Sequence, residues 1–174
     1  MNIRIARAED LGALVEIYNQ AIAVGQKTAD ITVVSIEDRK AWFEEHTPDS
    51  HPLLVAEQAG SILGYLTLSA YRPGRMALRH TAEVSYYVHF DHHRQGFASK
   101  LLRQAIEMCP ALQIKTLIAI LIESNAASIR LLEKFGFERW GYLPRVAEFD
   151  GMEFGHLYYG LRIENANHRV EQAS

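Results

Sequence analysis

The sequence predicts a single α/β domain with a mixed, twisted central sheet flanked by helices. Three observations carry that prediction. Apolar spacing switches repeatedly between the strand and helix periods, so the two element types alternate along the 174 residues. Residues 81–122 read as strand, helix and strand, which makes a right-handed βαβ unit. The second of those strands, 114–122, is apolar except for Lys115 and Thr116, which suits burial on both faces beside a parallel partner. With 48% hydrophobic and 22% charged residues, a chain of this length can fill one sizeable core.

The elements follow in order. Ile3 and Ile5 alternate with Asn2 and Arg4 in a first strand, 2–7. Glu9 and Asp10 suit the positive end of a helix whose apolar face is Leu11, Leu14, Val15, Tyr18, Ala21 and Ile22. Residues 27–34 are polar and β-branched, a loop. Ser35 and Asp38 form a variant capping box for a second helix that stops before Pro48. Strands 53–57 and 62–70 flank the turn Gln58-Ala59-Gly60-Ser61. In strand 81–90, Val84, Tyr86, Val88 and Phe90 share one face, and Glu83, Ser85, Tyr87 and His89 the other. The loop 91–96 leads into a helix from Phe97 to Cys109, ended by Pro110. A last helix runs over 125–135, with Gly136 where a left-handed C′ residue is expected. Asp150-Gly151 signals a type I′ turn between strands 137–149 and 152–162. The domain is thus 1–163, and 164–174 is a polar tail expected to fray.

Charge and composition exclude several classes. A net charge of -3 argues against a chain built to hold nucleic acid. No run approaches the ~18 apolar residues of a membrane span, and the first residues lack a secretory apolar stretch, so the expectation is a soluble, cytoplasmic domain. A single cysteine, Cys109, forms no internal disulfide and reads as a buried structural thiol. His89, His92 and His93 have no second ligand cluster, so a surface loop is preferred to a metal site. Tyr158 and Tyr159, in a terminal strand, suit packing or a subunit interface, and a homodimer is one expectation.

The chemistry concentrates where strand 81–90 passes into the next helix. Helix N-terminal amides lack intrahelical acceptors and favour an anion, and Gly96 and Ala98 let a phosphate approach the backbone. The loop His93-Arg94-Gln95-Gly96-Phe97-Ala98 resembles the Arg/Gln-x-x-Gly-x-Gly/Ala cofactor loop of the GNAT acyltransferase superfamily, with His93 where Arg or Gln is usual. Asn125-Ala126-Ala127-Ser128 and the ending Lys134-Phe135-Gly136-Phe137 match the superfamily's pantetheine-side helix. Ile17-Tyr18-Asn19-Gln20-Ala21, Val55-Ala56-Glu57, Arg79-His80-Thr81-Ala82-Glu83, Tyr87-Val88 and Gly141-Tyr142-Leu143-Pro144 look like phosphinothricin-type N-acetyltransferases. The resemblance covers residues 2–163.

The resemblance implies a GNAT-like fold and transfer of an acetyl group from acetyl-CoA, as co-substrate and without a metal, to a primary amine. Tyr86, Tyr87, Val88, His93, Arg94, Gln95, Gly96, Phe97, Ala98, Ser99 and Asn125 would meet acetyl-CoA. Ser128 and Lys134 read equally as cofactor contacts and as solvated helix positions. Asn125 is also a helix cap. Glu83 falls at the position of the glutamate base, which would take the proton the amine must lose, for typically 10²–10⁴-fold in rate. The amide of Val88 is a candidate oxyanion donor.

Two departures matter. Four residues before Gly136 the superfamily often has Tyr and the phosphinothricin type His, taken to protonate the departing thiolate, whereas this chain has Leu132. Tyr86, Tyr87 and Tyr142 are candidates to replace it, with water as the other source. Residues 145–156 also lack the tryptophan common in that segment, which argues against the herbicide-type substrate. Tyr71, Arg72, Arg75 and Arg79 stand near the base in sequence. They read evenly as a binding loop for a substrate carboxylate and as a solvated basic loop. The acceptor expected is a small, amino-acid-like amine. A protein or peptide amine and a non-catalytic acyl-CoA-binding module are the alternatives.

Overall fold

The computed structural model describes residues 1–163, so the expected tail, 164–174, lies outside the described residues. Seven strands form one sheet: β1 (Asn2–Ile5), β2 (Leu53–Gln58), β3 (Ser61–Ala70), β4 (Thr81–Val88), β5 (Thr116–Ile122), β6 (Glu138–Phe149) and β7 (Met152–Arg162), in the order β1-β2-β3-β4-β5-β7-β6. All neighbours are antiparallel except β4 and β5. The helices are α1 (Leu11–Val24), α2 (Ile36–Glu44), α3 (Phe97–Met108) and α4 (Ala126–Lys134).

Burial on the two sheet faces explains why the strand patterns alternate. Leu54, Leu66, Leu68, Ala82 and Val84 meet Phe97, Leu101, Leu102, Ala105 and Ile106 of α3 and Leu132 of α4 in one core. On the other face Leu53, Val55 and Tyr65 meet Leu14, Ile17, Tyr18 and Ile22 of α1. Cys109 is fully buried in the first core, and burial pushes its thiol up to about 12. Asp10 reaches back to the Arg7 amide at 2.7 Å and pairs with Arg4, which also holds Glu57, pinning the entry to α1 against β1 and β2. The capping box at α2 forms as expected: the Ser35 hydroxyl accepts from the Asp38 amide at 3.2 Å, and the Asp38 carboxylate from the Ser35 amide at 2.8 Å. Loop 27–34 is tied down by Asn19, whose side chain bonds both the amide and the carbonyl of Val34 at 2.9 Å.

Three sequence expectations need correction. The first strand stops at Ile5, followed by a short 3₁₀ turn over Ala8–Asp10 before α1. The strand expected over 81–90 stops at Val88. The His89 amide makes the last ladder bond, to Leu63, and Phe90 then enters a 3₁₀ turn whose first amide is held by the Gln20 side chain at 3.0 Å. Phe90 is therefore exposed instead of continuing the apolar face. Finally, the parallel pairing expected for β5 forms with β4 but is short, Thr81–Glu83 against Thr116–Ile118, whereas β5 pairs antiparallel with β7 along its whole length. Beyond those residues the two strands part.

Candidate active site

The parting of β4 and β5 opens the central sheet, and the backbone alternation of β4 decides what faces the gap. Along a strand, successive residues point their N–H and C=O groups to opposite sides. The His89 amide bonds β3, so the amides of Tyr86 and Val88 point toward β5, and there no strand residue receives them. The gap widens into a cleft of about 480 Å³ lined by the end of β4, the loop 93–99 and the first turn of α4. It narrows inward to about 50 Å³ between Val84–Tyr87, Ala119–Leu121, Asn125, Ser128 and Leu132.

The loop at the mouth is built for close approach. Gly96 is the N-cap of α3 with φ of 84°, a left-handed conformation, and a Cβ there would meet nothing within 4 Å. Arg94 is also left-handed, at φ of 62°. His93 donates from Nε2 to the Val88 carbonyl at 2.9 Å, fixing the loop to the strand end. The amides opening α3 thus face the cleft with Gly96 bare above them, an anion site of the helix N-terminal kind.

On the opposite wall, Asn125 caps α4 by accepting from the Ser128 amide at 3.5 Å. Its NH₂ group has no protein partner among the described residues and faces the same cleft. The other end of α4 closes with Gly136 at φ of 83°; the Gly136 amide bonds the Glu133 carbonyl and the Phe137 amide that of Leu132, both at 3.0 Å. This is the two-bond ending in which the residue after the glycine packs back on the helix. It fixes Leu132 with its side chain in the core and at the inner end of the gap.

Glu83 is the last β4 residue paired with β5, at the closed end of the gap, and its side chain lies on the α1–α2 face, half-buried. Burial raises its carboxyl above the ordinary range. Ser69 stands directly across from it on β3 and is held by His46 Nε2 at 3.0 Å.

The structure brings together Tyr86, Tyr87, Val88, His93, Arg94, Gly96, Phe97, Ala98, Ser99, Asn125 and Ser128 on one cleft. Gln95 turns away to the Asp91 carbonyl, and Lys134 is exposed at the far end of α4; neither lines it. Arg72, Arg75 and Arg79 are exposed on the β3–β4 connection, outside the cleft, and Arg79 bonds the Met76 carbonyl. Lys27, from loop 25–34, lines both parts of the cleft and was not expected there, since nothing in that polar loop signals where it folds. A second cavity of about 630 Å³ beside Arg4, Asp10 and Glu57 shares only His92 with the cleft, and those three charges already satisfy one another.

The acetyltransferase (GNAT) family pattern matches residues 14–137. The chain belongs to the GNAT acetyltransferase family. YwnH of Bacillus subtilis is 41% identical over 164 residues, 94% of this chain and 99% of that protein. MnaT of Escherichia coli, an L-amino acid N-acyltransferase, is 35% identical over 155 residues, 89% of this chain and 87% of its own. The GNAT phosphinothricin acetyltransferase of Sinorhizobium meliloti, solved in complex with acetyl-CoA, superposes with a TM-score of 0.87 at 28% identity, covering 92% of this chain and 87% of that one. This GNAT chain is accordingly an N-acetyltransferase of the phosphinothricin type, with acetyl-CoA as co-substrate. The cleft fits that molecule: a bare glycine at a helix N-terminus, unclaimed strand amides and a free carboxamide NH₂ are donors for phosphate and amide oxygens. Among the described residues no helix is long and apolar enough to cross a membrane, and no three metal-ligating side chains converge.

Proposed function

We propose that this GNAT enzyme acetylates the primary amine of a small, amino-acid-like molecule by direct attack on the acetyl-CoA thioester. The observation that carries the reading is Glu83, a half-buried carboxylate with raised proton affinity at the closed end of the gap, three residues before Tyr86, the nearer of the two amides that face the same gap. Glu83 takes the proton of the attacking amine, directly or through one water. The Val88 N–H stabilises the thioester oxygen as charge develops on it. No acyl-enzyme is formed: the one cysteine lies in the core with its thiol held protonated, far from the role of a nucleophile.

The acceptor class rests on two supports. MnaT, similar over nearly the whole domain, acts on L-amino acids. The second is charge: Lys27 lines the cleft, while Arg72 and Arg75 are exposed outside it on the connection that leads into the Glu83 end of β4, and we read these cations as the partners of a substrate carboxylate. A second copy of the chain is proposed to pair along edge strand β6, where Trp140, Leu143 and Val146 are exposed. A thiol-release assay across an amine panel tests the reading. Free amino acids and their close analogues are expected to turn over, and the decarboxylated amines to lose most kcat/KM. Equal rates with amines lacking the carboxylate, or preference for peptide N-termini, would overturn the acceptor class.

A further inference from the structure

Leucine cannot give a proton to the departing sulfur, the role that the family resemblance assigns to the position of Leu132. Of the three tyrosines that sequence offers in its place, the structure retains one. Tyr142 is exposed and donates to the Glu123 carboxylate at 3.0 Å, outside the cleft. Tyr87 also lines both parts of the cleft, but its ring points to the α1–α2 face, edge-on against Tyr18 at 5.0 Å and beside Tyr65 at 5.4 Å, on the same face as Glu83. Tyr86 points to the other face, toward α4, and lines both parts of the cleft together with Ser128. Its hydroxyl is shut off from solvent and has no partner in hydrogen-bond geometry, although the Ser128 side chain lies near enough to favour the phenolate slightly. A buried phenol O–H without an acceptor is costly, and the group that would satisfy it is a ligand atom in the narrow end of the gap, where Leu132 also faces.

We propose that the Tyr86 hydroxyl is the hydrogen-bond donor to the departing CoA sulfur, supplying from β4 what Leu132 cannot supply from α4. The inference rests on the acetyltransferase reading of this cleft. Glu83 and Tyr86 stand on opposite faces of one strand, so the base receives the amine on one side while the donor meets the leaving group on the other. The amine nitrogen bonds the carbonyl carbon and yields its proton to Glu83. The C–S bond then breaks, its electron pair stays on sulfur, and the Tyr86 O–H shares its proton with that charge. The thiolate is released to water and protonated there, so Tyr86 ends as it began. Burial pushes the phenol up to about 12, which keeps it protonated across the neutral range as a permanent donor.

The test is the proton affinity of bound CoA, followed by the ultraviolet absorbance of its thiolate, in the parent and in Tyr86→Phe. A hydrogen bond to the thiolate holds its titration midpoint down, so the variant should bind the thiol proton about tenfold more tightly. Lys27, the charged group lining the inner cleft, is the same in both proteins and cancels. With the best acceptor, kcat should fall roughly 10- to 100-fold, while affinity for CoA in its thiol form holds, because the bond is made to the thiolate, and Tm holds or rises, because the substitution removes an unsatisfied buried hydroxyl. Coincident midpoints, or a kcat within twofold of the parent, would overturn the assignment. A shifted midpoint in a protein that acetylates no amine would keep the sulfur contact and sink the proposed function instead. Absence of CoA binding by the parent would sink both.

Discussion

Glu83 shows how one side chain can be legible in sequence by its place and not by its environment. Its position on the strand before the glycine loop is a matter of spacing. Its raised proton affinity comes from burial under α1 and α2, which only the fold creates. Glu83→Gln should lower kcat/KM by about 10²–10⁴-fold with CoA binding intact; a loss of only a fewfold would remove Glu83 from the base role. The parent's kcat/KM should fall as pH drops through a midpoint above the ordinary carboxyl value of 4.5. Stability has the opposite sign. A carboxyl whose folded pKa is raised contributes most below its unfolded value and loses that contribution as pH rises through the folded one. Glu83→Gln should therefore melt higher than the parent at neutral pH and no higher in acid, which thermal scans at two pH values will show. The choice of Tyr86 among the three candidate tyrosines and the place of Lys27 were beyond sequence for the same reason: an unsatisfied hydroxyl and a lysine folded over a cleft are properties of neighbours distant along the chain.

At the scale of elements, the loop 93–98 and helices α2, α3 and α4 were legible because each boundary has a local cause. Gly96 and Gly136 take backbone conformations a side chain resists, Ser35 and Asp38 satisfy each other, and Asn125 caps α4. The end of β4 was illegible because Phe90 continues the apolar alternation; what stops the strand is Gln20, reaching from α1 across 70 residues of sequence. Gly96→Asp tests the loop. The new carboxylate would meet no steric obstacle, so its effect comes from charge beside the site of the pyrophosphate and from a left-handed backbone, which costs about 1–2 kcal/mol for a residue with a Cβ. Calorimetry should show CoA affinity reduced at least tenfold, and more at low salt than at high salt because repulsion between exposed charges is screened. Unchanged affinity would remove this loop from the cofactor site.

Taken whole, the molecule has a sheet in two parts, β1–β4 and β5–β7–β6, joined by three residue pairs between β4 and β5 and by the cores beneath. The βαβ unit was readable, whereas the shortness of its parallel pairing was not, because a strand apolar on both faces looks the same whichever neighbour covers it. That short seam gives the co-substrate a structural task as well as a chemical one. An extended chain of amide groups laid beside Tyr86 and Val88 would hydrogen-bond the open edge of β4 and serve as the strand the fold omits. The protein would then be stitched across its middle by its own substrate and loosened along the same line at each product release. Amide exchange should report this directly: protection at Tyr86 and Val88 should rise on CoA binding while the β2–β3 pairs stay unchanged. Exchange that slows evenly over all seven strands would show general stabilisation and no such stitch.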